Sequence, residues 1–439
     1  MRSELRRLFA LAIPLAIAEA GTQVMSVVDM AVVGRLGGRE LAAVGLANAI
    51  FFGVSVFGLG LMLGMDPLIS QAIGAGDALR ARHVLWQGVW LALISSAALI
   101  VVLCGGPFLL REIGVRPELI HPATIYLLIR LIGLAPWLVF FVLRAYLQAH
   151  HITRPMVVSM VAGNILNFAG DVFLVFTMRL GVAGPAISTV ICQFFAMAVL
   201  AAAVMRVKVG GSFSRAWNPL EIKRALRVGM PTAFQVTTEV GIFALVALIA
   251  GRLGTVGLAA HQLVITLASF TFTVALGVAT AGSVRVGLAV GARDRAGVRR
   301  AGLATFVGAA MVMSVSAIAF MTIPHALARM LTNQQDVIAA TLPLFFVAGL
   351  FQLSDGLQAA GIGALRGAAD TKFAFMTNVI GYWLVGLPIG FLLGFKFDMG
   401  VVGFWWGFVA GLTSVAIMVF ARFHRLSSRE IVPVAEIII

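Results

Sequence analysis

Residues 84–104 cover the thickness of a membrane without one charged side chain. About 20 apolar residues in helical conformation, rising 1.5 Å each, cross a hydrocarbon core of about 30 Å. In lipid every backbone polar group must be paired within the protein, so such a run is a helix or part of a closed barrel. The run lacks the dyad alternation of a barrel strand, which excludes the second. Comparable runs, bounded by Gly, Pro and Arg clusters, lie at 9–33, 41–65, 123–145, 156–177, 182–205, 229–251, 258–283, 301–323, 338–363, 374–395 and 400–421. Of the 439 residues, 61% are hydrophobic and 11% charged. A soluble domain carries roughly 25% charged residues and needs them to cover its surface. A soluble enzyme, a disordered chain and a fibrous chain are therefore excluded. The expected fold is an all-α integral membrane protein of twelve transmembrane helices.

Residues 1–21 imitate a signal peptide, with Arg2, Arg6 and Arg7 ahead of an apolar stretch and Ala18-Glu19-Ala20. The apolar stretch continues to Val33, too long for a signal core, so it is read as the first span. The net charge of +14 would suit a nucleic-acid partner in a soluble chain. Here its distribution has another cause. With the amino terminus inside, 23 of the 32 Lys and Arg residues fall on inner segments and 8 on outer ones, with Arg130 inside a span. This is the positive-inside bias, and it places both termini in the cytoplasm. Cys104 and Cys192 lie in apolar runs and form neither a metal spacing nor a disulfide framework.

The chain repeats itself. A shift of 217 residues lays Pro14 on Pro231, Gly34-Arg35-Leu36-Gly37 on Gly251-Arg252-Leu253-Gly254, Asp77 on Asp294 and Arg82 on Arg299. One or two residues later in register, Thr153 meets Thr371 and Gly181-Val182 meets Gly400-Val401. The chain is a duplication of six spans. Six is even, so the halves are two parallel repeats about an axis along the membrane normal. They divide as an amino lobe 1–205, a cytoplasmic linker 206–228, and a carboxyl lobe 229–439 with a short cytoplasmic tail. Two such halves suit a transporter. No Gly-x-x-x-x-Gly-Lys-Ser/Thr phosphate cradle occurs, so the drive is an ion gradient or a separate ATPase subunit.

A charge at the bilayer centre costs roughly 2.5–3.5 kcal/mol on the insertion scale, so each buried one asks for a function or a partner. Asp29 shares a helix face with Glu19, Thr22 and Ser26, at spacings of three and four. Asp171 follows Asn164 and Asn167 on one face. An amide and a carboxylate one turn apart offer oxygens to a small cation or a niche for a proton. Glu239 lies one turn beyond Gln235, and Asp355 lies between Gln352 and Gln358. Each half thus carries two buried acids with polar neighbours. Glu19 faces water or a basic neighbour. Arg130 snorkels or neutralises an acid. Asp66, beside Pro67, reads as interfacial, and His261 as a satisfied polar group. The aromatics Phe51, Phe52, Trp137, Phe140, Phe141, Phe345, Phe346, Phe351, Trp405 and Trp406 read mainly as packing and interfacial belt, with a pocket for flat cations as the alternative.

At these residues the chain resembles the multidrug and toxic compound extrusion family, in its NorM-like bacterial form. The resemblance is carried by Ile13-Pro14, Val28-Asp29 and Val33-Gly34-Arg35-Leu36-Gly37, then Gln71, Gly74, Gly76-Asp77, and Asn164-Ile-Leu-Asn167 with Asp171. It continues through Gly229-Met-Pro231 with Glu239, Phe351-Gln352-Leu-Ser-Asp355, Leu365-Arg366-Gly367 and Asp370-Thr371. It implies a V-shaped pair of lobes that alternate access and export drugs by antiport with Na⁺ or H⁺. It also implies a cation site at Asp29, Asn167 and Asp171, with Thr189 nearby, which is the place for any bound Na⁺. Glu239 and Asp355 match the family's carboxyl-lobe acids, with Gln235, Gln352 and Asn164 as supporting polar groups. Some members have Tyr where this chain has Met25 and Phe351, so two hydroxyls are missing. The expected partners are small cationic or amphipathic drugs and membrane lipids, with no nucleic acid and no cofactor. The expected state is a monomer in the bacterial inner membrane. The rival reading is a lipid-linked oligosaccharide flippase of the same superfamily, which predicts a cationic cavity. An integral membrane enzyme would need a nucleophile–base or metal cluster, and no His-Glu-x-x-His or Gly-x-Ser-x-Gly occurs.

Overall fold

The computed structural model describes residues 1–429 and 431–436. Glu430 and residues 437–439, at the end of the expected carboxyl lobe, lie outside the described residues. Among the described residues there is no strand. Eleven helices are each long and apolar enough to cross a membrane. They are α1 (Arg2–Gly34), α2 (Gly38–Gly74), α3 (Ala78–Glu112), α5 (Arg154–Thr177), α6 (Ala183–Arg206), α7 (Pro219–Leu253), α8 (Thr255–Gly291), α9 (Arg295–Thr322), α10 (Gln335–Gly367), α11 (Thr371–Lys396) and α12 (Gly400–Ser427). The remaining span, α4, is a bent pair, Pro117–Ile132 and Leu134–Ala149, with 42° between its halves. The break has a local cause. Pro136 has no N–H to give the carbonyl of Ile132, and Gly133 closes the first half by donating to Arg130 O at 3.1 Å.

The repeat is visible in the backbone as well as in the sequence. Asp77 caps α3 by accepting from Arg80 N, and its mate Asp294 caps α9 by accepting from Gly297 N, each at 2.8 Å. Helix turns also widen at matching places. Phe173–Thr177 in α5 and Leu392–Lys396 in α11 are both π-helical. A further π-helical stretch, Val379–Gly386, occurs only in α11 among these mates.

The chain packs as two compact units. The amino unit is Ile17–Ala233, and the carboxyl unit is Met1–Ala16 with the described residues that follow Ala233. This packing boundary differs from the chain boundary expected from the repeat. It falls inside α1 and α7, two residues beyond Pro14 and Pro231, and the shift of 217 lays Ala16 on Ala233. Each crossing segment is seated on a glycine at matching positions. A Cβ at Gly60 of α2 would stand 2.4 Å from Ala233 Cα, and one at Gly277 of α8 would stand 2.8 Å from Ala16 N. Backbones approach this closely only where no side chain intervenes. Glutamates at matching positions then anchor the starts of α1 and α7. Glu4 pairs with Arg285 on α8, and Glu221 pairs with Arg80 on α3 at 3.4 Å and with Arg224 at 2.7 Å.

The linker lies along α3. Arg82 donates to Val204 O at 3.0 Å and Val207 O at 2.8 Å. Gln87 donates to Ala216 O at 2.7 Å and accepts from Asn218 N at 2.9 Å. Trp90 donates to Arg215 O at 3.0 Å. Asn218 in turn caps α7 through Leu220 N at 3.0 Å. The entry of α7 into the membrane is therefore fixed by side chains of α3.

Candidate functional site

Each unit buries one acid pair. In the amino unit, Asp29 on α1 meets Asn167 and Asp171 on α5 and Thr189 on α6, all of them buried. The carboxyls of Asp29 and Asp171 are within hydrogen-bonding reach of one another. The α5 backbone is fastened to α6 here. Ser188 Oγ donates to Asn167 O at 2.9 Å, and Asn167 Nδ2 stands 3.3 Å from Ser188 Oγ. Thr189 Oγ1 lies 3.2 Å from Asp29 Oδ2 and 2.8 Å from Pro185 O. It has one proton for those two acceptors.

Four oxygens of this cluster have no hydrogen-bond donor among the described residues: Asp29 Oδ1, Asn167 Oδ1 and both oxygens of Asp171. An unmet buried acceptor costs about 1–3 kcal/mol, more when charged. Two adjacent carboxylates cannot both stay ionised without a proton or cation between them. The cluster is therefore suited to hold one or both. No three His, Cys, Asp or Glu side chains among the described residues are grouped to hold a metal ion. Two carboxyls, an amide oxygen and a hydroxyl suit a proton or a monovalent ion better than a tightly held divalent one.

On the neighbouring face, α2 and α4 contribute two matched contacts. Asn48 lies within hydrogen-bonding reach of Tyr126, and the Arg130 guanidinium lies over the Phe51 ring at 4.6 Å. Asn48 and Phe51 are three residues apart on α2, and Tyr126 and Arg130 four apart on α4, so each pair shares a helix face. The charges of Arg130, Asp29 and Asp171 all reach Tyr126, and that of Arg130 reaches Asp29. Just past Arg130, Gln193 Oε1 of α6 fills the place where a Cβ of residue 133 would stand, 1.8 Å from it.

In the carboxyl unit, Glu239 on α7 is held by three donors. Asn378 Nδ2 lies at 3.0 Å, Tyr382 OH at 3.4 Å and Gln235 Nε2 at 3.5 Å. Asn378 also accepts from Gln358 at 3.5 Å. The widened turns of α11 begin directly after Asn378 and carry Tyr382, so both side chains reach the same carboxylate. Asp355 on α10 is buried within electrostatic reach of Glu239. Gln352, one turn away, donates to Thr271 Oγ1 on α8 at 2.6 Å. The buried Phe351, Trp405 and Phe408 and the half-buried Phe243 pack as an aromatic cluster with ring centroids 4.8–6.3 Å apart.

The structure thus groups Asp29, Asn167, Asp171 and Thr189, and separately Glu239, Gln235 and Asp355. Asn164 stands apart, donating to Met160 O on its own helix at 2.8 Å. Glu19 is taken by Arg144 at 2.6 Å. Asp66 is buried at 2% exposure, not interfacial, because α2 runs past it to Gly74. His261 Nδ1 accepts from the Trp405 indole at 3.2 Å, a satisfied core pair. Sequence reasoning missed Ser188, Asn378 and Tyr382. A polar pair four apart in an otherwise apolar span, Asn378 and Tyr382, was the available signal.

Comparison with known proteins bears on the family and the fold. The MatE family model matches residues 14–173 and 231–392, two stretches whose starts are one repeat apart. The chain is 36% identical to a probable multidrug resistance protein NorM of Mesorhizobium japonicum, covering 97% of this chain and 94% of that protein. It is 33% identical to a protein of the same description from Agrobacterium fabrum, covering 98% and 95%. Its fold matches an outward-facing multidrug resistance MATE family transporter of the MOP superfamily, with TM-score 0.88 and 23% identity over 97% of this chain and 96% of that one.

Proposed function

We propose, from the premise that this chain belongs to the multidrug and toxic compound extrusion family, that it exports cationic or amphipathic compounds by antiport with inward-moving Na⁺ or H⁺. The observation that carries this is the cluster of four donorless oxygens at Asp29, Asn167 and Asp171. A buried site with unmet acceptors gains most from a small cation, and it favours different protein states when filled and when empty. The ion enters from outside, fills the amino-unit site and disfavours bound substrate. Its release to the cytoplasm resets the chain. Glu239 and Asp355 supply negative charge for a cationic substrate or a second ion. The drive suffices: about 1.4 kcal/mol per pH unit and about 2.3 kcal/mol per charge per 100 mV, each worth a tenfold gradient or more.

The six-span halves, 1–205 and 229–439, joined by the 206–228 linker, serve as the two lobes of a monomer in a bacterial inner membrane, with both termini cytoplasmic. No cofactor is needed, and the chain acts as a transporter, not an enzyme. The flippase reading is less well supported, because the deep paired groups in both units are acids, which repel a pyrophosphate-bearing lipid.

Ethidium accumulation in everted vesicles, which is efflux in the cell's sense, under an imposed Na⁺ gradient, and separately under a pH gradient, tests the proposal. One gradient is expected to drive efflux, and Asp29→Asn and Asp355→Asn to abolish it at normal expression. Failure of both gradients to move any cationic dye would overturn it.

A further inference from the structure

Arg130 is a full charge inside a membrane span. Lipid makes such a charge expensive unless it is paired or reaches water. The structure does neither for most of this group. Its Nε and Nη1 are buried and have no acceptor among the described residues. Its plane lies instead on Phe51, 4.6 Å from the ring centroid, a contact that stabilises a cation without neutralising it. One turn earlier on the same face, Tyr126 lies within reach of Asn48, so α4 meets α2 along this face at two points. The charge of Arg130 reaches Asp29, and Asp29 and its neighbour Asp171 present oxygens that lack donors. Donorless oxygens and acceptorless nitrogens thus sit in one site without meeting.

We infer that Arg130 is the resident cation of the amino-unit site, a specificity-determining residue whose fixed charge leaves Asp29 and Asp171 a net charge of minus one. One monovalent ion, Na⁺ or H⁺, then completes the site. Phe51 holds the guanidinium back from the carboxylates, so its charge is present while the oxygens stay open to the ion. The repulsion between Arg130 and the bound ion also speeds the ion's release. The inference rests on the amino-unit cluster being the seat of the coupling ion.

The test is ethidium movement in proteoliposomes, with the half-saturating concentration of the driving ion as the readout. In Arg130→Gln that concentration is expected to fall about tenfold or more, because a nearby repelling charge is gone. Maximal turnover falls with it, since release slows. Arg130→Lys keeps the charge, and an ammonium can also sit over the Phe51 ring, so the half-saturating concentration stays within about threefold of the parent. Structural damage would not tighten ion binding, so the direction separates the two explanations. If Arg130→Gln does not yield folded protein, Arg130→Met takes its place. An unchanged or weakened ion response in the neutral variants, with Asp29→Asn abolishing that response, overturns the role of Arg130 alone. An ion response that survives Asp29→Asn overturns the site, and the inference with it.

Discussion

In the amino unit α4 brings a cation, Arg130, to an acid on α1. In the carboxyl unit α10, the repeat mate of α4, brings a second acid, Asp355, to Glu239 on α7. The acids of α1 and α7 are not themselves mates. The shift of 217 lays Thr22 on Glu239, and Asp29 is two turns further along the same face. The two pairs are also met differently. Glu239 receives three donors, whereas Asp29 and Asp171 leave three carboxyl oxygens without one. A carboxylate already solvated by the protein has less to gain from a bare ion and more from a cation too large to be coordinated. Duplication kept the helices and allowed their chemistry to separate.

The largest effect that would break this comparison is expected at Asp171, whose two oxygens are both unmet. Asp171→Asn should reduce ion-driven ethidium efflux by about 100-fold or more, the scale expected when a principal charge is lost from a buried ion site. Quantified protein in the vesicles checks that the loss is not one of expression. If Asp171→Asn keeps more than a tenth of the activity, the amino-unit pair is not the ion seat.

Glu239→Gln should sharpen the contrast. It is expected to weaken ethidium binding by about 10-fold while moving the half-saturating ion concentration by less than about threefold. Equilibrium fluorescence titration of purified protein, with and without the ion, reads both. A larger shift in the ion term than in the dye term would reverse the assignment of the two sites.

Single hydroxyls come last. Tyr382→Phe and Thr189→Val each remove one hydrogen bond, worth about 0.5–1.5 kcal/mol, or about two- to tenfold. Tyr382→Phe should act on dye affinity and Thr189→Val on ion affinity. If both act on the same quantity, the sites are not separate.

The twelve spans were legible because lipid forbids any other conformation for such runs, and the repeat because it was nearly ungapped. The acids were legible because charge is rare and costly at membrane depth. Their partners were less so. Glu19 and Asp29 share one face, yet Arg144 on α4 claims the first, and no local spacing foretells that contact. Asn378 and Tyr382 converge through a widened stretch of α11, where the ordinary helical period does not hold. Arg130 was visible as an anomaly, but its perch on Phe51 depends on how α2 meets α4.

The crossing of α1 and α7 carries a consequence for synthesis and ancestry. α1 leaves the ribosome before its partners, Gly277 on α8 and Gly308 on α9, and a Cβ on Gly308 would stand 3.0 Å from Leu8. The amino unit, likewise, is incomplete until Ala233 has emerged. A six-helix ancestor folding by the same rule would have lacked a piece of its own core. Two copies exchanging the start of their first helices would have supplied it to each other. Gene fusion would then have made permanent, in a single polypeptide, a swap that began between subunits.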